Sequence, residues 1–322
     1  MKDKIKKAFP KLYDWYRFEV EKREDQKALA YYSALPESEY ENELVRLYQE
    51  RVGHTLDLHN PKRFSEKIQW RKLYELTPLM SRLSDKYEVR EWVKEKIGED
   101  YLIPLLGSWD AFDDIDFNEL PKSFVLKTNN ASGTNLIIQD KMKMDKRTAK
   151  RKFDYWIKKP FGMLSGLELQ YCSIKPKIIA EKNMLSEGMD DLPDYKFFCF
   201  DGKVYCSYTM IEYTNDHEKG KLGFFDREYN LLEAHREDFQ PIKEQIPRPQ
   251  NYEKMIEVAE ILSKGFSHVR VDLYNINGRV YFGEMTFTTN SGFTKYRPEE
   301  FDYELGEQWK LPIEHMGQKT NI

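Results

Sequence analysis

Two runs with strand-like alternation, residues 269–274 and 279–286, flank an Asn277-Gly278 pair, and this stretch constrains the fold more than any other. Asn-Gly between alternating runs signals a β-hairpin. Side chains alternate faces along a strand, so Val269, Val271 and Leu273 share one side while Arg270, Asp272 and Tyr274 share the other. On the second strand the same alternation groups Val280, Phe282, Glu284 and Thr286. A two-residue loop would put Asp272 and Glu284 on opposite faces. A three-residue loop, Ile276-Asn277-Gly278 with Gly278 left-handed, pairs Arg270 with Glu284 and sets Asp272 diagonally across on the same face. That loop is the expectation. It makes a two-carboxylate site whose oxygens suit Mg²⁺, a cation that completes its shell with water and substrate phosphates. A solvated hairpin with scattered charges is the alternative that the residues leave open.

At 322 residues the chain can bury a large core, and 40% apolar content with 21 Tyr and 19 Phe fits a globular fold. The 51 Lys and Arg against 55 Asp and Glu give a net charge of -4, which argues against nucleic acid as a partner. Cys172, Cys199 and Cys206 have no Cys-x-x-Cys spacing, so neither a disulfide framework nor a zinc knuckle is expected, and a reducing cytoplasm fits best. No apolar run is long enough to span a bilayer. Residues 1–18 are rich in basic groups, Lys2, Lys4, Lys6, Lys7, Lys11 and Arg17, around Ile5, Phe9, Leu12, Trp15 and Tyr16. This pattern could lie on an anionic membrane surface, though Pro10 weakens it and the same residues read more readily as an ordinary docking helix.

Helical spacing runs to about residue 58, resumes after Asn60-Pro61, and stops near Thr77-Pro78 before a further helix to Gly98. Strands follow at residues 124–128, 136–139 and 177–181, and a hairpin turns about Asp201-Gly202. Lys127 ends the otherwise apolar Phe124-Val125-Leu126 strand, just before the small polar loop containing Gly133. Such a loop can cradle phosphate oxygens with backbone N–H groups beside a fixed positive charge. A solvated strand-end lysine is the bland counterpart. Neither a Walker loop nor the kinase order of loop, lysine and catalytic aspartate is present. Asp114-Ile115-Asp116 has the acidic spacing of many glycosyltransferases, but no apolar strand precedes it.

Several stretches taken together resemble the TupA-like ATP-grasp family, linked to teichuronopeptide and other bacterial surface polysaccharides. They are Phe64-Ser65-Glu66-Lys67-Ile68-Gln69-Trp70, Asp85-Lys86-Tyr87, Lys127, Gly133, Glu181-Lys182-Asn183-Met184, Asp194-Tyr195-Lys196, Arg270-Val271-Asp272 and Glu284. The resemblance implies an α+β ATP-grasp fold, with a nucleotide held between two subdomains. It divides the chain into a helical segment (1–58), a preceding region (59–120), the ATP-grasp domain (121–312) and a tail (313–322).

By position, the resemblance implies that Lys86 and Lys127 reach the ATP phosphates and that Gly133 belongs to the covering loop. It implies further that residues 181–184, with Glu181, Lys182 and Met184, meet adenine, that Asp194 and Lys196 line the ribose side, and that Asp272 and Glu284 hold Mg²⁺. Where the wider fold has an Asn ligand, this chain has Thr286, and Asn290 is the nearby substitute. Arg270 shares a face with the metal ligands, so its fork suits a substrate carboxylate or acylphosphate; an ion pair with Glu284 across the ladder is its other reading. The implied activity is ATP- and Mg²⁺-dependent ligation of a carboxylate, such as a uronic acid, to an amine, such as an amino acid. The competing classes are a glycosyltransferase of the same polysaccharides and a nucleotide-binding module without turnover.

Overall fold

Helix α1 (Pro10–Ala34) is the first element among the described residues. The structure, a computed structural model, describes residues 10–187, 191–212 and 220–311. The basic residues Lys2, Lys4, Lys6 and Lys7 and the tail at 313–322 therefore lie outside the described residues. Leu12, Trp15 and Tyr16 are exposed on α1. Among the described residues no helix is long and apolar enough to cross a membrane.

Helix α2 (Tyr40–Arg51) buries Leu44, Leu47 and Tyr48 at helix spacing. Helix α3 (Phe64–Tyr74) follows, then α4 (Pro78–Ser84) and α5 (Val89–Ile97). Thr77-Pro78, expected as a stop, is also a start: the Thr77 hydroxyl accepts from Met80 N at 3.2 Å, and Pro78 occupies the first turn.

A four-stranded antiparallel sheet comes next. It contains β1 (Leu105–Trp109), β2 (Phe124–Thr128), β3 (Asn135–Ile138) and, after helices α6 (Lys146–Trp156) and α7 (Phe161–Leu164), β4 (Ile178–Lys182). Its order is β1-β4-β2-β3. Phe124, Leu126, Ile178 and Ala180 pack with Ala149, Phe153 and Trp156 of α6, while the alternate positions of β2 and β4 put Lys127 and Glu181 on the other face.

The larger sheet has the order β11-β10-β5-β6-β7-β9. Its strands are β5 (Asp194–Phe200), β6 (Lys203–Ile211), β7 (Lys221–Asp226), then, beyond the short β8 (His235–Arg236), β9 (Gln240–Pro241), and, after helix α8 (Tyr252–Ser263), β10 (His268–Ile276) and β11 (Arg279–Thr286). A bridge strand β12 (Tyr296–Arg297) pairs with β8, and helix α9 (Glu300–Gln308) closes the described chain.

One face of this sheet, through Phe197, Val269, Val271 and Leu273, packs on Tyr252, Met255, Ala259 and Leu262 of α8. The other face is divided. Phe198, Phe200, Tyr208 and Phe224 are covered by Phe64 and Ile68 of α3 and by Phe301, Leu305 and Trp309. Each such buried ring contributes about 1.5–3 kcal/mol through burial alone. Beyond that cover lie Asp194, Lys196, Arg270 and Asp272, and there the sheet meets a cavity.

The hairpin carries a correction. Ile276 pairs with Arg279, so Asn277-Gly278 is a two-residue turn and not the three-residue loop expected. Both turn residues have positive φ, 53° and 81°, the requirement of the hairpin turn that favours Asn-Gly. The register then shifts between Leu273 and Asp272: Leu273 faces Phe282, but Asp272 faces Glu284. Gly283 is the extra residue of a β-bulge. Val280 and Phe282 consequently belong to the apolar core, whereas Glu284 and Thr286 line the cavity with Arg270; Asp272, buried behind them and bonded to Arg270, is not among the lining residues. Arg270 is paired with Thr286, not with Glu284. The expected shared face exists, but the bulge creates it.

Candidate active site

The directly opposed Asp272 and Glu284 are tied together by the arginine two residues away. Arg270 donates from Nε to Asp272 Oδ1 and from Nη2 to Asp272 Oδ2, both at 2.7 Å. The same Nη2 reaches Glu284 Oε1 at 3.2 Å and Thr286 Oγ1 at 3.0 Å. Thr286 in turn donates to Glu284 Oε1 at 3.0 Å. Arg270 therefore makes the ion pair with Glu284 while lining the cavity.

Lys196 on β5 sits beside them, bonded to Asp194 Oδ2 at 2.6 Å and also to Asp272 Oδ2. Lys86 enters from the turn after α4. Its Nζ donates to Ala131 O at 2.6 Å and lies 3.9 Å from Glu284 Oε2, linking the polar loop of the small sheet to the carboxylates of the large one. Lys127 faces Glu181 Oε2 at 2.6 Å, and Arg90 reaches Glu181 Oε1 at 3.4 Å. The lysine is thus paired rather than a solvated strand end.

These charges shape one another. Burial pushes the Glu284 carboxyl up, but Lys86, Lys196 and Arg270 outweigh it and bring it down to about 2. Burial raises Asp194 despite Lys196. Burial would lower Lys196, yet Asp194 and Asp272 hold it well above the ordinary lysine range. Lys86 is lowered, first by burial, with Glu284 opposing and the Lys127 charge adding to the fall.

The cavity, about 580 Å³, is lined by five of the expected residues: Asp194, Lys196, Arg270, Glu284 and Thr286. Asn290 lines it too, with its Nδ2 donating to Thr294 Oγ1 at 3.1 Å. Gly133 stands on the open loop, left-handed at φ 72°, with nothing within 4 Å of where a Cβ would lie. Met184 is buried with Ile103, Ile276 and Tyr281. The Lys182 N–H is bonded to Pro104 O at 3.0 Å. The Glu181 carboxylate likewise serves Lys127 and Arg90.

The donor set fits a divalent cation. Each carboxylate oxygen has two lone pairs, and among the described residues Asp272 Oδ1 accepts from Arg270 Nε alone. Glu284 Oε2 has Lys86 only at 3.9 Å. Among the described residues no group of three or more His, Cys, Asp or Glu is arranged for a metal, so water and phosphate oxygens would complete the shell, as Mg²⁺ prefers. Among the described residues the buried Asp194 Oδ1 has no hydrogen-bond partner, and it calls for a donor such as a ribose hydroxyl.

Sequence reasoning missed Glu168, Thr288 and Lys72. Glu168 lines the cavity, accepts from the Thr288 hydroxyl and is raised by burial against the pull of Lys72. Fully buried Lys72 donates to Gly166 O at 2.6 Å and to Ser291 O at 2.8 Å, fixing the loop that carries Asn290. No local pattern marks these residues. Asp114 and Asp116 are exposed and line neither cavity wall nor cluster.

Comparison with known proteins gives the fold a family. The family described as TupA-like ATPgrasp matches residues 66–310. No curated protein matches the chain. Among solved structures, D-alanine–D-alanine ligase from Bacillus anthracis complexed with ATP has 17% identity and a TM-score of 0.35, covering 64% of this chain and 54% of its own. The ADP complex of PurK, an N5-carboxyaminoimidazole ribonucleotide synthetase, has 12% identity and a TM-score of 0.38, over 75% and 56% of the two chains. The D-cycloserine synthetase DcsG has 14% identity and a TM-score of 0.39, over 72% and 70%. The chain thus spans about half the length of the first of these, and overlaps this small leave the assignment to the family match. With that match over most of its length, and with the opposed carboxylates of β10 and β11, the chain belongs to the TupA-like ATP-grasp family.

Proposed function

We propose that this protein is an ATP- and Mg²⁺-dependent carboxylate–amine ligase. The carrying observation is the cluster on β5, β10 and β11, where Arg270 clamps Asp272 against Glu284 and Lys86 joins it to the loop over the cleft. The bound cation would screen the phosphate charge, held by Asp272 and Glu284. The chain's own part is positioning and neutralisation, which suits phosphoryl transfer because that reaction needs no protein nucleophile.

Lys86 and Lys127 hold phosphate oxygens, Asp194 takes a ribose hydroxyl, and Arg270 orients the substrate carboxylate. A carboxylate oxygen attacks the terminal phosphorus and ADP leaves. The amine then attacks the acyl carbon of the acylphosphate, phosphate leaves, and the amine sheds a proton. The surface-polymer setting, with a uronic acid as acid and an amino acid as amine, follows from the resemblance alone.

The test is release of ADP and phosphate in the presence of Mg²⁺, screened over uronic acids paired with amino acids, with mass detection of the product. The expected result is one amide per ADP. Nucleotide-sugar turnover that survives loss of Lys127 would instead support a glycosyltransferase.

A further inference from the structure

The cations around the cavity are almost all committed to carboxylates. Arg236 forks onto Asp238 at 2.9 and 2.6 Å, Arg270 onto Asp272, and Lys196 bridges Asp194 and Asp272. Arg51 differs. It ends α2, lines the same cavity, and its side chain makes no ion pair or hydrogen bond among the described residues. Its guanidinium instead lies over the ring of Phe293, 4.5 Å from the centroid.

That ring is a fixed platform. Lys72 Nζ also lies over it, at 4.7 Å, while donating to Gly166 O and to Ser291 O on either side of the cavity loop. Phe293 further packs so tightly on Gly166 that a Cβ there would come within 2.6 Å of Cε2. Ser165, Ser291 and Phe161 share the wall. A guanidinium seated over an aromatic face keeps its N–H donors available for a carboxylate, whose geometry its fork matches.

We propose that Arg51, mounted on Phe293, binds a substrate carboxylate other than the one being activated. This rests on the ligase reading, in which Arg270 and the β10–β11 carboxylates occupy the reacting end. Arg51 precedes the family match at 66–310, so a residue of the helical lead-in would set substrate choice for the domain that follows it. The second carboxylate belongs either to the acid component or to the amine component. Both present the same group to Arg51.

The experiment is calorimetric titration of the full chain, saturated with Mg²⁺ and ADP, with probe pairs that differ by one carboxylate. Glutarate against its monoamide represents a diacid, and L-alanine against L-alaninamide represents an amino acid. Wild type should bind the more acidic member of one pair at least tenfold more tightly, and which pair shows it identifies the component. Arg51→Ala should erase the preference, Arg51→Lys should restore part of it, and MgATP affinity and melting temperature should stay unchanged in both. An Arg51→Ala variant that keeps the preference, or a wild type with none, overturns the assignment while leaving the ligase reading intact if MgATP still binds. Wild type that binds no MgATP overturns both.

Discussion

Lys127 carries the sharpest contrast between a structural and a chemical role. Its ammonium pairs with the Glu181 carboxylate, which is only 8% exposed and keeps Arg90 at 3.4 Å as its second partner. Lys127→Met should reduce ATP turnover by about 10²-fold or more, the effect of removing one preorganised electrostatic group. It should also lower the melting temperature, because stripping one partner from a buried pair leaves a charge poorly compensated. The double variant Lys127→Met/Glu181→Gln should recover stability and not turnover. Recovery of both would reduce Lys127 to a counterion for Glu181. The sequence singled out this lysine from its place before a small-residue loop, but not Glu181 as its partner, since the two are brought together only by the β2–β4 pairing.

At the scale of the element, two glycines in one hairpin do different work. Gly278 sits in the turn at φ 81°, and a Cβ there would approach Gln250 at 2.8 Å. Gly278→Val should therefore cost about 1–3 kcal/mol, as strained backbone positions do, with ligand affinity largely kept. Gly283 is the bulge, and a Cβ there would stand 3.0 Å from the Asp272 carbonyl oxygen and 3.3 Å from the Tyr274 ring. Gly283→Val should weaken MgATP binding more than it lowers stability, because it displaces Asp272, a proposed metal ligand. Melting curves and MgATP titrations on both variants separate the two, and equal loss of affinity would deny the bulge its special role. The sequence showed the turn in Asn277-Gly278 and the two carboxylates proposed as ligands, Asp272 and Glu284. It also carried the bulge signal, an isolated Gly inside a strand pattern, but strict period-two counting spread the register change into the loop instead. Tertiary packing hid the rest: β7 was passed over, and so was α9, whose Phe301 and Leu305 are buried only because the sheet lies beneath them.

Across the whole molecule, the cover over half of the large sheet is pinned by one carboxylate. Asp302 of α9 accepts from Ser65 N at 2.9 Å and from Ser65 Oγ at 2.5 Å, giving the first turn of α3 a partner from the far end of the chain. Burial pushes the Asp302 carboxyl up from 3.8 to about 6, against the pull of the Ser65 bonds. Between those values the folded state holds a proton that the unfolded state has released. The contribution of Asp302 is therefore full below the unfolded value and is lost as pH rises through about 6, with a slope of at most about 1.4 kcal/mol per pH unit. Denaturant unfolding of wild type and Asp302→Asn between those pH values should show the slope in the first only; parallel curves would exclude Asp302 as its source.

The same large-scale arrangement puts helices over the apolar half of the sheet and leaves β5, β10 and β11 facing a charged cavity, the proposed nucleotide site. Calorimetric titration of ATP, with and without Mg²⁺, into wild type, Asp272→Asn and Glu284→Gln tests this most directly. Wild type should bind ATP with an affinity that depends on Mg²⁺, and each variant should remain folded and lose that dependence, because each deletes a ligand charge. Mg²⁺-dependent binding undiminished in both variants would contradict the assignment of the site.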